Sequence, residues 1–156
     1  GAGTSTILIE GVKKLHGTEY TPISDRIEAG TYLLATAITG GQIEISNCQA
    51  KNISSLIHKL CDNTCKINLK NDIIYLKSER IRKSFSFYTA PHPSFPTDLQ
   101  AQTMALLTVS QGSSVVTENV FENRFGHVKE FLKMGAKRPR GKIPYFRVKK
   151  SIFYRI

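Results

Sequence analysis

Tryptophan is absent from this chain of 156 residues, methionine occurs twice and cysteine three times. No apolar run approaches the roughly eighteen residues that would span a bilayer. The opening Gly1-Ala2-Gly3-Thr4 has neither the charged start nor the apolar stretch of a secretion signal. A cytoplasmic protein without a membrane partner is the expectation, and the missing initiator Met points to a start inside a longer reading frame. Cys48, Cys61 and Cys65 are too few for a disulfide framework and odd in number, which fits a reducing compartment. Cys61 and Cys65 have a spacing that can share a helix face, yet no further Cys or His completes a tetrahedral metal set. They read as small buried or half-buried thiols. His16, His58, His92 and His127 are scattered, so neither a metal nor a cofactor is expected.

Acids are also missing, but only locally. Between Lys137 and Ile156 stand eight bases and no Asp or Glu, which leaves 14 of the 22 bases to face all 12 acids in the remainder. The net charge of +10 therefore belongs mostly to the tail and says little about the partners of the body. With hydrophobic residues at 40%, the chain is long enough to bury the core of one domain.

The organisation is one unit used twice. From Asp25 the chain runs through an apolar helical segment (Leu33, Leu34, Ala37, Ile38), Gly40-Gly41, an alternating strand Gln42–Ser46, and a second helix. Ile53, Leu56, Ile57 and Leu60 make one stripe of that helix at a 3.6-residue period. From Asp98 the order returns with Leu106, Leu107, Gly112, the strand Ser114–Glu118 and Asn119. Phe125, Val128 and Leu132 then take the places of Ile53, Leu56 and Leu60 at a constant offset of 72. Such a duplication is an α/β arrangement with crossover helices, right-handed by the general rule. Further strands are predicted at Lys66–Leu69, Asp72–Leu76 and Phe85–Thr89, and one ahead of the first copy at Thr6–Val12.

The repeat makes a forecast that the tail does not keep. Where Cys65-Lys66-Ile67-Asn68-Leu69 should recur, the chain offers Lys137-Arg138-Pro139-Arg140-Gly141, with Pro and Gly at both apolar strand sites. Residues 1–136 thus form a partial domain of about two units, 25–97 and 98–136, followed by a basic tail of atypical sequence at 137–156. A shifted reading frame or foreign sequence would explain the tail. The competing account is a native basic arm, in which Lys and Arg mixed with Tyr145, Phe146, Phe153 and Tyr154 grip nucleic acid or an anionic surface.

Both copies approach a helix through proline and then aspartate, Pro22-Ile23-Ser24-Asp25 and Pro96-Thr97-Asp98. Each Asp reads first as an N-cap, its carboxylate accepting orphan backbone N–H groups. The prolines at 91, 93 and 96 stiffen the approach to Asp98.

The run Thr89-Ala90-Pro91-His92-Pro93-Ser94-Phe95-Pro96-Thr97-Asp98-Leu99-Gln100-Ala101-Gln102 closely resembles the substrate loop of bacterial UDP-N-acetylglucosamine enolpyruvyl transferases. Thr117-Glu118-Asn119-Val120-Phe121-Glu122-Asn123-Arg124-Phe125 resembles the same family. So do Asp25-Arg26-Ile27-Glu28-Ala29-Gly30-Thr31 and Ile9-Glu10-Gly11-Val12, in the family's order and spacing. The resemblance covers Gly1 to about Ala136. It implies transfer of the enolpyruvyl group of phosphoenolpyruvate to the 3-hydroxyl of UDP-N-acetylglucosamine, the first committed step of peptidoglycan synthesis. It also implies an inside-out α/β barrel of βαβαββ units, helices inside and sheets facing solvent, incomplete here.

By the same resemblance, Asp98 binds the sugar 3-hydroxyl and serves as general base, Val120 contacts the nucleotide sugar, and Arg124 stands among the cations that bind phosphoenolpyruvate. Asp25 and Thr97 fall at the cleft edge. A guanidinium fork does match carboxylate and phosphate geometry. The family's Lys-Asn pair and its proton-donating loop have no counterpart here, and none of the three cysteines lies in the matching context. The remainder of the enzyme is therefore an expected partner, and the chain alone an inactive one. A missing unit would leave apolar helix faces exposed. The shikimate-pathway enolpyruvyl transferase and RNA 3′-phosphate cyclases, which share the fold, lack the Pro-Thr-Asp-Leu-Gln-Ala-Gln run.

Overall fold

A computed structural model of the chain describes residues 4, 6–79 and 82–136, together with the backbone of the strand at 151–155. The first unit contains α1 (Arg26–Thr39), β1 (Gln42–Ile45), a 3-10 turn at Ala50–Ile53, α2 (Ser54–Asp62), β2 (Lys66–Lys70) and β3 (Ile73–Lys77). The second contains β4 (Phe87–Tyr88), a 3-10 turn at Thr97–Leu99, α3 (Gln100–Thr108), β5 (Ser113–Thr117), α4 (Val128–Lys133) and β6 (Ser151–Arg155).

The ends of α1 follow from its sequence. Asp25 caps the start, its Oδ1 accepting from the N–H of Ile27 at 2.7 Å and of Glu28 at 3.2 Å. Gly40, with φ +76°, ends the helix in the left-handed conformation that costs glycine little. The last carbonyls are satisfied from outside the helix: Arg82 donates through Nε to Ala37 O and through Nη2 to Ile38 O, each at 2.6 Å.

In the first sheet the order is β1-β3-β2, with β3 antiparallel to both neighbours. β1 and β2 are consequently parallel to one another, and α2 is the crossover between them. Ile43, Ile45, Ile67, Ile74 and Leu76 share the face turned to the helices, whereas Glu44, Asn68, Tyr75 and Lys77 on the other face are exposed. One helix-covered and one solvent-facing side is the layering the inside-out barrel implies. The second sheet, β4-β5-β6, pairs β4 and β5 in parallel across α3, and β5 with β6 antiparallel. Among the described residues the two sheets do not close into a barrel.

The duplicated stripe is only partly buried in its second copy. Ile53, Leu56, Ile57 and Leu60 all lie in the core, and Val128 joins them, but Leu132 is 37% exposed where Leu60 is fully buried. The second copy therefore leaves Leu132 open where the first covers Leu60, while Val128 and Phe131 stay buried or half-buried. The strand predicted at Thr6–Val12 does not form. Residues 6–12 have no ladder partner among the described residues, and Ile7, Leu8 and Ile9 are 69–83% exposed. Alternation marks a strand only when a neighbour takes its backbone hydrogen bonds, and none is present here. The continuation of the second copy at 137–141 lies outside the described residues, and β6 was not foreseen.

Close contact between the two units passes through Gly30 in α1. A Cβ there would stand 2.5 Å from Leu99 Cδ1 and 2.9 Å from Ile53 Cδ1, both in fully buried side chains. Alanine gains about 1 kcal/mol in helix propensity, yet overpacking such a site costs about 1–3 kcal/mol. Gly30→Ala is therefore expected to lower stability, and urea unfolding of the variant measures it.

Candidate functional site

The proline-rich segment leaves β4 as a closed loop. Ala90 N donates to Phe95 O at 3.1 Å, Ser94 N donates to Pro91 O at 3.1 Å, and the bond between His92 and Pro93 is cis. Phe95 anchors the loop, buried against Phe87 with ring centroids 4.3 Å apart. Pro96, extended at φ −72° and ψ 133°, then delivers the chain into the turn Thr97–Leu99 and α3.

Asp98 is not the cap that its sequence context suggests. It sits inside the first turn, and its Oδ1 instead accepts from Arg124 Nη2 at 2.9 Å, 26 residues away in sequence. Relative to the aspartate, the turn begins two residues earlier than in the first copy, which carries the carboxylate past the capping position. The pair is open to solvent, with the side chain of Asp98 54% and that of Arg124 37% exposed. Arg124 also lies over the Phe121 ring at 5.0 Å, a cation–π contact that steers the guanidinium.

Behind this pair stands a residue that sequence reasoning missed as a site element, Glu118, which is almost wholly buried. Its Oε2 accepts from Thr97 Oγ1 at 2.9 Å and Gln100 Nε2 at 3.0 Å. Its Oε1 accepts from Thr89 Oγ1 at 2.8 Å and from the N–H groups of Val120 at 2.9 Å and Phe121 at 3.1 Å. Burial would raise the pKa of this carboxyl, but the Thr89 hydroxyl, the Phe121 and Val120 amides and the Thr97 hydroxyl outweigh it and hold the group below its ordinary value. The available signal was a charged residue at a strand end aligned with the buried-side positions of β5.

Thr97, expected at the cleft edge, is itself buried, with its hydroxyl turned inward to Glu118. Val120 and Phe121 line a cavity of about 250 Å³ together with Asn119, Asn123 and Phe125. A wider open depression of about 600 Å³ lies on the solvent face of the first sheet over Tyr75, and no expected site residue lines it. His127 is half-buried near Arg124; burial and then the Arg124 charge lower its pKa and favour the neutral ring. Its Nε2 is 3.2 Å from Met104 Sδ, and Phe131 meets the ring edge-on.

Asp25 is occupied in capping α1. Cys48 and Cys65 belong to the hydrophobic core, and burial pushes both thiols up, the reverse of what an activated cysteine needs. Among the described residues, no group of three or more His, Cys, Asp or Glu could hold a metal ion, and no helix is long and apolar enough to cross a membrane.

Comparison with known proteins supports the family reading. The UDP-N-acetylglucosamine 1-carboxyvinyltransferase of Koribacter versatilis (strain Ellin345) is 48% identical over 136 residues, 87% of this chain and 31% of the relative. UDP-N-acetylglucosamine 1-carboxyvinyltransferase 1 of Caldanaerobacter subterraneus subsp. tengcongensis is 50% identical over 136 residues, covering 87% of this chain and 33% of its own length. The chain thus spans about a third of the curated relatives it matches. In fold it resembles the enolpyruvyl transferase NikO from Streptomyces tendae, with a TM-score of 0.64 at 18% identity over 85% of this chain and 30% of that one. EPSP synthase from Acinetobacter baumannii gives a TM-score of 0.58 at 16% identity, covering 85% and 31% of the two chains. The fold is that of part of an enolpyruvyl transferase. The EPSP synthase model itself matches residues 1–142, and the chain belongs to the EPSP synthase (3-phosphoshikimate 1-carboxyvinyltransferase) family.

Proposed function

We propose that this chain supplies one wall of the active site of a UDP-N-acetylglucosamine 1-carboxyvinyltransferase, with phosphoenolpyruvate as donor and the sugar 3-hydroxyl as acceptor. The observation that carries the reading is the Asp98–Arg124 pair at 2.9 Å. It sets a proton acceptor beside an anion binder, and Arg124 follows directly in the chain on the segment that lines the Val120 cavity. The relatives named for this activity support the choice of substrates.

The chemistry is addition followed by elimination. The sugar oxygen bonds to C2 of phosphoenolpyruvate as its proton passes to the Asp98 carboxylate, while C3 takes a proton from a donor outside this chain. Loss of a C3 proton and cleavage of the C2–O bond to phosphate then restore the double bond and release phosphate. Arg124 pairs with the phosphate or carboxylate of the donor, exchanging one anionic partner for another. Val120 and Phe121 supply the apolar wall for the nucleotide sugar.

Cys48, Cys61 and Cys65 are not the C3 proton donor in this scheme, so the remainder of the enzyme provides it. Half a cleft orients neither substrate fully, and the chain alone is accordingly inactive. The assembled enzyme acts in the cytoplasm in peptidoglycan synthesis, and so in cell shape and division. In this reading the domain ends near Ala136, where the chain stops following its own repeat. The tail from Lys137 is extraneous to the reaction. A nucleic-acid role rests on that tail alone, and the names of the two relatives compared above give it no support.

The test is a chimera in which residues 1–136 replace the corresponding third of the Koribacter versatilis relative. Phosphate release that requires both phosphoenolpyruvate and UDP-N-acetylglucosamine is the expected result, with no turnover from the 156-residue chain by itself. A folded chimera that binds neither substrate would contradict the proposal.

A further inference from the structure

Resting on that reading of Asp98 and Arg124, we propose that Glu118 is a positioning residue for the proton acceptor, acting through Thr97 and Gln100. An exposed ion pair between two mobile side chains holds geometry weakly, so the setting of Asp98 against Arg124 must be imposed from behind. Glu118 is placed to do this. Its Oε2 holds the residue before Asp98 and the second residue after it, Thr97 and Gln100. Its Oε1 holds the amides of Val120 and Phe121, which open the turn leading to Arg124. Thr89 completes the link to the start of the proline-rich loop, since its hydroxyl donates to Glu118 and accepts from Asn119 N at 3.0 Å. One buried carboxylate thus joins the segments that carry the acceptor, the apolar wall and the cation.

Two observations separate this role from simple stabilisation of the fold. The first is the internal duplication. At the offset of 72 the counterpart of Glu118 is Ser46, an exposed residue, so the first unit builds the same helix and strand without a buried carboxylate. The second is Gln100, fully buried, whose Oε1 has no hydrogen-bond partner among the described residues while its Nε2 reaches Glu118. A residue chosen for packing would be apolar here, since a buried orphan carbonyl is unfavourable. What the position uses is the amide donor.

The test is made on the 156-residue chain. Thr97→Val and Gln100→Met together remove two donors to Glu118 with little change in shape, leaving the carboxylate itself in place. UDP-N-acetylglucosamine is titrated by NMR. Its dissociation constant is expected to rise about five- to tenfold. The Asp98 carboxylate carbon resonance is expected to shift, while the amides of Leu33, Leu56 and Leu106 keep their wild-type positions. Unchanged affinity together with an unchanged Asp98 resonance overturns the proposal. Asp98→Asn separates the two levels of inference: if it leaves affinity untouched while the double variant still moves the Asp98 resonance, positioning stands and the reading of Asp98 as a sugar ligand falls. Should the double variant lose its core resonances, Thr97→Val alone decides by the same two signals.

Discussion

Asp98→Asn in the full-length chimera is expected to lower kcat about 10²–10⁴-fold, the usual contribution of a positioned general base. The amide keeps the size of the carboxylate and can still accept a hydrogen bond from the sugar hydroxyl, but it cannot take up the proton as the C2–O bond forms. The KM for UDP-N-acetylglucosamine should rise as well, but by far less than kcat falls, since the amide replaces a charge-assisted hydrogen bond with a neutral one. Arg124 would lose its partner at 2.9 Å, and a guanidinium without a neighbouring anion attracts the donor more strongly. The KM for phosphoenolpyruvate is therefore expected to fall or hold while kcat collapses. Steady-state phosphate release at varied concentrations of each substrate separates these effects. A raised KM for the nucleotide sugar at unchanged kcat would reduce Asp98 to a binding group.

Glu118→Ala is expected to be among the most destabilising single changes in the chain. Thr89, Thr97 and Gln100 are all buried, and each would keep a donor with no acceptor. At about 1–3 kcal/mol for each stranded group, the loss is on the order of 3 kcal/mol or more, a large share of a typical domain's stability. The pH dependence has a definite sign. The folded protein holds the Glu118 carboxyl below its ordinary pKa, so the unfolded chain binds the proton first on acidification. The stability it contributes is complete above about pH 4.3, the usual glutamate value, and is lost as pH falls further through the folded-state pKa. Urea unfolding at neutral and acidic pH should show the wild-type chain losing more on acidification than the variant.

The helices and the first sheet were legible because periodicity and duplication report local structure and burial directly. Leu33, Leu34, Ile53, Leu56 and Leu60 are core residues for the reason their spacing suggests. Thr6–Val12 shows the limit, since its alternation is as good as that of Gln42–Ile45 and only the presence of a partner strand distinguishes them. The site was legible as a set of residues and not as an arrangement. Asp98 and Arg124 could be named, but their pairing depends on a turn that starts two residues earlier than the repeat implies. Glu118 looked like an ordinary strand-end acid because its burial is decided by donors from Thr89, Thr97 and Gln100, up to 29 residues away in the chain.

Mapping backbone amide shifts of the labelled chain during addition of UDP-N-acetylglucosamine addresses the location of the site most directly. Saturable changes centred on Asp98, Val120, Phe121 and Arg124, weakened together in Asp98→Asn, are the predicted outcome. Changes confined to the open face around Tyr75, or a pattern indifferent to the state of residue 98, would place the nucleotide sugar elsewhere and contradict the assignment.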